Sequence, residues 1–98
     1  MKKEPIAAIE ADPRDPEDRR SGPDEVARGL TGRRIRKLRH RLGLSQVDFA
    51  NRYGIPVANI RQYEIGRTMP PPAVRAYLAV IGQEPEIAAE ALRRSRAA

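Results

Sequence analysis

Apolar residues recur at helical spacing from Thr31 onward. One stripe consists of Ile35, Leu38 and Leu42, and a second consists of Val74, Tyr77, Leu78 and Ile81. Steps of three and four place such residues on one face of a helix, so each stripe predicts an amphipathic helix that packs on a core. Neither an alternating strand pattern nor an internal repeat competes with this interpretation. The pattern indicates an all-α fold.

Shorter apolar segments predict three further helices. They contain Val47, Phe49, Ala50 and Tyr53, then Val57, Ile60 and Tyr63, and finally Ile87, Ala91 and Leu92. Pro85 suits the first turn of the last helix, where its missing N–H is not needed. Gly43, Gly54, Gly66 and Gly82 each follow an apolar stripe, and each is predicted to end a helix in the left-handed conformation. The expected architecture is a compact five-helix bundle.

Residues 1–24 differ from the rest of the chain in composition. They include four prolines and only Ile6 and Ile9 as large apolar residues. Such a segment buries too little surface to offset its ordering entropy, so we predict a disordered, proline-rich tail over 1–24 and a folded domain over 25–98. The tail is either a solubilising extension or a partner-binding segment that folds through its two isoleucines. Both interpretations stay open.

Basic charge is concentrated in the predicted domain. Residues 1–24 hold five basic and seven acidic side chains, whereas residues 25–98 hold fourteen and six. The net charge of +6 over 98 residues favours polyanionic partners, with nucleic acid first and an anionic membrane surface second. The chain is too short for a multi-domain enzyme with a large cleft. It lacks cysteine and a spanning apolar run, so we expect a soluble, cytoplasmic protein without a membrane partner.

Residues 45–64 carry the pattern that points to function. Ser45 is placed to accept a hydrogen bond from a free backbone N–H at a helix start, with Asp48 reaching back. This helix stops at Gly54, and the next begins near Pro56. Two short helices joined by a tight, glycine-containing turn form a helix-turn-helix.

Small and apolar positions within this motif fit the packing of its two helices. Ala50 lies where a larger side chain would force the helix axes apart, and Ile55 and Ile60 fill the angle between them. Residues 31–82 resemble the Cro and phage-repressor (XRE) type of helix-turn-helix family. The residues that carry the resemblance are Ser45-Gln46-Val47-Asp48-Phe49-Ala50, Gly54-Ile55, Ile60, Tyr63-Glu64, Gly66 and Pro70.

The end of the chain carries a second resemblance. Residues 75–81, followed by 84–87, are similar to the end of small HigA/MqsA-type antitoxins of toxin–antitoxin modules. This resemblance implies an antitoxin that represses its own operon and binds a toxin protein.

In the family the second helix of the motif lies in the DNA major groove, and only its first two turns face base edges. The candidate base-reading residues are therefore Val57, Ala58, Asn59, Arg61 and Gln62. The first two fit a thymine methyl, Gln62 fits adenine, and Arg61 fits guanine or a phosphate. The candidate phosphate contacts are Ser45 and Gln46 at a helix start, and Arg67 and Thr68 after the reading helix. Ile60 and Tyr63 are expected to face the core.

One departure from the family concerns the start of the reading helix. The family usually has a serine or threonine cap where this chain has Pro56. Proline offers no side-chain oxygen, so the helix is expected to start differently, with the backbone pre-set by the proline ring.

Charged residues outside the motif have mainly structural interpretations. Residues 33–41 hold six lysines and arginines, which a helix distributes around its circumference. They are interpreted as a solvated face, with phosphate contact open for each. The resemblance implies that Arg39 forms a structural ion pair with Glu64, because an unpaired acid on the reading helix would repel DNA. His40 has no partner at a catalytic or metal-binding spacing, so no enzyme activity, metal or cofactor is expected.

These observations predict a sequence-specific repressor of double-stranded DNA. One reading helix covers about half a turn of groove, so a palindromic operator with half-sites about 34 Å apart requires a homodimer. Its contacts are expected from the last two helices, through Tyr77, Ile81, Ile87 and Leu92. The alternative is a non-catalytic protein-interaction adaptor with weak, non-specific DNA binding. RNA binding is remote, because the few aromatic residues fit the core better than a stacking surface.

Overall fold

The computed structural model describes residues 22–97, and this part of the chain consists of five helices without a strand. The helices are α1 (Pro23–Arg41), α2 (Gln46–Tyr53), α3 (Val57–Glu64), α4 (Pro72–Gln83) and α5 (Pro85–Ala97). The prediction of an all-α, five-helix fold is confirmed. The predicted disordered tail lies outside the described residues, except at its C-terminal end.

Helix α1 begins at Pro23, within the segment assigned to the tail and eight residues before the helical stripe at Thr31. The extra turns begin at a capped start. Pro23 occupies the first helical position, and Asp24 and Glu25 lie at the positive end of the helix dipole. The Glu25 carboxylate accepts a hydrogen bond from the Gly22 N–H at 3.4 Å. Apolar periodicity missed this start because Val26 and Leu30 remain about half exposed.

The core lies between all five helices, with α3 packed against α1 and α2, and α5 packed against α2 and α4. Its buried members are Ile35, Phe49, Ala50, Tyr53, Ile55, Ile60, Tyr63, Leu78, Ile81 and Ala88. The rings of Phe49 and Tyr53 pack at a tilt, with centroids 5.0 Å apart. The Tyr53 hydroxyl donates to the carbonyl of Pro85 at 2.9 Å, which ties α2 to the start of α5.

Tyr77 and Ile81 are used within the monomer, contrary to the prediction that they are left over for a dimer interface. Ile81 is fully buried, because it faces the core of its own chain. The Tyr77 hydroxyl donates to the Tyr53 carbonyl at 2.7 Å, and burial raises the pKa of this phenol. Ile87 is 61% exposed and Val80 is 52% exposed, so apolar surface remains on α4 and α5.

Three of the four predicted glycine stops are confirmed. Gly43, Gly54 and Gly66 have φ angles of 70°, 73° and 76°. The prediction for Gly82 is wrong, since this residue lies inside α4, which continues to Gln83. The helix does not continue into Glu84, because the ring of Pro85 disfavours helical backbone at the residue before it, and Glu84 has φ −136° and ψ 68°.

Candidate nucleic-acid interface

Helix α2 has the start and the end that its sequence predicts. The Ser45 Oγ accepts a hydrogen bond from the Asp48 N–H at 3.0 Å. The reciprocal bond predicted for the Asp48 carboxylate is not formed in the described part of the chain. At the other end Gly54 takes the left-handed conformation, and its N–H donates to the Ala50 carbonyl at 2.8 Å. This stop turns the chain so that Ile55 is buried between α2 and α3.

Helix α3 starts without a side-chain cap, as expected from Pro56. The proline is the residue before the helix rather than its first member, with φ −55° and ψ 135°. Its carbonyl accepts hydrogen bonds from the N–H groups of Asn59 and Ile60 at 3.0 and 3.1 Å. The first helical residue is therefore Val57, which sets the register of the reading helix.

The two faces of α3 differ in burial. Ile60, Tyr63 and Glu64 are buried, whereas Ala58, Asn59 and Arg61 are exposed. Gln62 is half-buried, and so is Val57, which packs partly against the core. The prediction that Ile60 and Tyr63 face the core is confirmed. The five candidate base-reading residues thus lie on or beside one solvent-facing side of the helix.

Helix α1 crosses the C-terminal end of α3 at very short range. A Cβ atom at Gly32 would collide with the carbonyl oxygens of Tyr63 and Glu64, the second of them at 2.7 Å. Only a residue without a side chain permits this approach. The Arg36 Nη1 also donates to the Glu64 carbonyl at 2.5 Å, which satisfies a terminal helix carbonyl. The position of α3 is therefore fixed by α1 as well as by α2.

Arg39 and Glu64 form a bidentate ion pair between α1 and α3. The Arg39 Nε and Nη2 donate to Glu64 Oε2 and Oε1 at 2.8 and 2.9 Å. The two side chains are 11% and 2% exposed. The hydrogen bonds from Arg39 to Glu64 raise the pKa of the guanidinium, although burial acts in the opposite direction. The acid on the reading helix is thus neutralised inside the protein and points away from the exposed face.

Gln46 connects this ion pair to the exposed face of α3. Its Nε2 donates to Glu64 Oε1 at 3.1 Å, and its Oε1 accepts from the Arg61 Nε at 3.4 Å. From the sequence, Gln46 is predicted to contact a phosphate, and its bridge between Glu64 and Arg61 is not predicted. The only sequence signal was its place at the start of α2, because the contact joins residues fifteen and eighteen positions apart.

The segment after α3 is held by the start of α1. Gly66 has a positive φ, and its carbonyl accepts a hydrogen bond from Arg28 Nε at 3.0 Å. Arg67 and Thr68 follow this anchored residue and are exposed. Ser45 is likewise exposed at the start of α2. The structure therefore leaves three of the four candidate phosphate contacts open to solvent.

The sequence model of a family described as a helix-turn-helix domain matches residues 31–92. The chain belongs to this helix-turn-helix domain family. The match includes α2, α3 and every residue of the candidate interface. Membership in this family supports a role as a DNA-binding regulator, and domains of the family are typically non-enzymatic. Searches of curated proteins and of solved structures returned no match. Within residues 22–97, no helix of this helix-turn-helix protein is long and apolar enough to cross a membrane.

Proposed function

We propose that this protein is a sequence-specific transcriptional repressor that reads double-stranded DNA with the exposed face of α3. The observation that carries the proposal is the division of α3 into a braced, buried side and a free, polar side. A helix offered to the major groove needs rigid support behind it and unobstructed side chains in front.

The roles on the exposed face follow from the side-chain chemistry. Arg61 matches the two acceptors of guanine or a phosphate, and Gln62 matches the donor–acceptor pair of adenine. Ala58 and Val57 present methyl groups to thymine, with Val57 offering only the part not packed on the core. Asn59, which follows Ala58, is exposed and completes the base-reading set.

Phosphate contacts are proposed at both ends of the reading unit. Ser45 and Gln46 lie at the start of α2, where free backbone N–H groups and the helix dipole attract an anion. Arg67 and Thr68 lie beyond the end of α3. Contacts at these two places would fix the register of α3 along the groove without carrying sequence information.

A homodimer on a palindromic operator is part of the proposal. A single reading helix of eight residues reaches too few base pairs for useful specificity. The exposed side chains of Val80 and Ile87 offer apolar surface for the contact between copies. Half-sites about 34 Å apart would then match the two reading helices.

The finer proposal is an antitoxin that represses its own operon. Its support is the resemblance of residues 75–81 and 84–87 to the end of HigA/MqsA-type antitoxins. Such a protein receives its signal by contact with a toxin rather than through a small molecule. Expression together with the neighbouring gene tests this point: co-purification of the two products supports the antitoxin role, and independent elution contradicts it.

Fluorescence anisotropy against DNA tests the central proposal. The full chain is titrated with DNA from immediately upstream of its gene and with a scrambled duplex, each at several salt concentrations. We expect binding to the upstream fragment to be ~10³-fold tighter, with a salt slope of several phosphates. Equal, weak binding to both duplexes would contradict base reading and favour the adaptor function.

Arg61→Ala is the first variant for this assay, and Arg94→Ala is its matched control. Both arginines are exposed, but Arg94 lies on α5, away from the reading helix. If Arg61 reads guanine, its truncation weakens binding to the upstream DNA by about 1–3 kcal/mol and leaves binding to the scrambled DNA nearly unchanged. An equal loss of affinity for both duplexes would indicate that Arg61 contacts a phosphate instead of a base.

A further inference from the structure

A groove of about 650 Å³ runs between α1 and α4. In the part of the chain that the structure describes, its lining comes from these two helices, so it is separate from α2 and α3 and from the proposed DNA-reading face. Apolar side chains of Ile35, Leu38 and Leu78 contribute to its wall. Leu38 is only half-buried, which leaves part of this apolar surface open to solvent.

The charged side chains that line this groove in the described part of the chain are cationic. Arg34, Lys37 and Arg41 project from α1, and Arg75 projects from α4. Among the described residues 22–97, no aspartate or glutamate lines it. The Arg41 Nη2 donates to the Gly82 carbonyl at 2.9 Å, which joins the two helices at the end farther from the start of α1. An apolar cleft bordered by cations suits an acidic segment that carries a few large apolar side chains.

The chain contains a segment of this composition before α1. Residues 4–18 hold six acidic side chains and one basic one. The same stretch includes Ile6 and Ile9, the large apolar residues of the first 24 positions. Neither isoleucine is used by the helix-turn-helix family match, which starts at residue 31.

The connection between this segment and the groove is long enough. Gly22 immediately precedes α1, and at 1.5 Å per residue Thr31 and Arg41 lie about 14 and 28 Å along the helix. Residues 10–21, when extended, span up to ~40 Å, so Ile9 can reach any part of the groove. Covalent attachment also gives the segment an effective concentration that reaches the millimolar range for a short linker.

We propose that residues 4–18 of the same chain dock in the groove between α1 and α4, with Ile6 and Ile9 against its apolar wall and the acidic side chains facing Arg34, Lys37, Arg41 and Arg75. The docked segment covers the open side of Leu38. The proposal does not depend on DNA binding, because the groove and the reading face share no residue.

A single spin label tests this docking in the full chain. The protein has no cysteine, so Ala11→Cys gives one attachment site within the segment. We expect the label to remove most of the NMR signal intensity of Leu38 and Ala79 in the groove, while Ile87 on α5 keeps its intensity. Retained intensity at Leu38 and Ala79 would overturn the proposal.

Matched charge reversals distinguish docking of the segment in the groove from non-specific proximity of the spin label to the folded domain. Arg34→Glu with Lys37→Glu should restore the groove signals, because it repels the acidic segment. Arg52→Glu with Arg94→Glu makes the same charge change at exposed positions of α2 and α5 and should leave the signal loss intact. Equal effects of the two pairs would contradict docking in this groove. Circular dichroism of each variant verifies that the helices are retained.

Two further measurements identify the occupant. A mixture of spin-labelled chain and isotope-labelled, unmodified chain reports contact between copies. Loss of the groove signals that arises only between different copies in this mixture would show that a second copy occupies the groove. Ile6→Ser with Ile9→Ser should restore the groove signals in the single chain. Signal loss that survives this change would rule out the isoleucine anchor. Binding of these segment variants to upstream DNA is measured alongside, so failure of docking and failure of DNA reading are distinguishable.

Discussion

The two faces of the eight-residue helix α3 have different roles, because one face is buried against the protein and the other is exposed to solvent. On the inner face, Ile60 is fully buried and Glu64 is held by Arg39. On the outer face, Asn59 and Arg61 are exposed. The helical period turns these two sets toward different sides of the helix, and the Gln46 side chain links them through Glu64 and Arg61. The inner face fixes where α3 lies, and the outer face determines what it can bind.

This division separates stability from recognition. Substitutions on the inner face should lower the free energy of unfolding, because they break contacts with α1. Substitutions on the outer face should leave folding intact and change only DNA affinity. The following changes test this separation, in order of decreasing expected effect.

Glu64→Gln should give the largest decrease in the free energy of unfolding. It leaves the guanidinium of Arg39 largely buried without a counter-charge, and breaking such a pair costs about 3 kcal/mol. Urea unfolding followed by circular dichroism measures the change. Glu90→Gln is the control, because Glu90 pairs with Arg93 on the exposed surface of α5. A loss for Glu64→Gln no greater than that for Glu90→Gln would show that the inner ion pair does not brace α3.

Gly32→Ala tests the backbone approach of α1 to α3. The added methyl collides with the carbonyl oxygens of Tyr63 and Glu64, and relieving this overlap by moving the helices costs about 2 kcal/mol. Gly29→Ala on the same helix is the matched control, since its Cβ meets nothing within 4 Å. The control should stabilise the protein by up to about 1 kcal/mol through helix propensity. The same urea unfolding assay measures both variants. Equal changes in the free energy of unfolding would argue against a close crossing of α1 and α3 at Gly32.

The parts of this arrangement that follow local rules were predictable from the sequence. Ser45 caps α2 and Gly54 ends it because each feature depends on residues within one turn. The buried positions Ile60 and Tyr63 followed from helical spacing. Local rules also predicted that α3 starts near Pro56 without a side-chain cap, although the proline precedes the helix instead of being its first residue.

The missed features depend on partners distant in sequence or on competing local signals. The close approach at Gly32 and the bridge from Gln46 to Glu64 depend on how helices cross, which no spacing encodes. The start of α1 was missed because capping, rather than apolar periodicity, marks it. Gly82 was misassigned because the following Pro85 determines where α4 ends.

Gln62→Ala and Gln46→Ala together test whether the outer face reads bases. Truncation of Gln62 should cost about 1.5 kcal/mol on the upstream DNA and little on a scrambled duplex. Truncation of Gln46 should weaken binding to both duplexes and leave the salt slope nearly unchanged, because a neutral amide that contacts a phosphate releases no counterion. Anisotropy titrations at several salt concentrations measure both effects. The reverse pattern would exchange the roles of the two glutamines.

Tyr77→Phe should give the smallest of these effects, and the effect should be confined to stability. Tyr77 lies on α4 and donates to the Tyr53 carbonyl, so its loss should cost about 1 kcal/mol of stability and leave DNA affinity unchanged. Burial raises the pKa of the Tyr77 phenol in the folded protein. Its stabilising contribution is therefore complete below the unfolded pKa of about 10 and is lost as pH rises through the higher folded pKa. Unfolding curves of the two proteins should thus converge at alkaline pH. A stability difference that stays constant into that range would show that folding does not raise the pKa of the Tyr77 phenol, and no difference at any pH would show that its hydroxyl does not stabilise the fold.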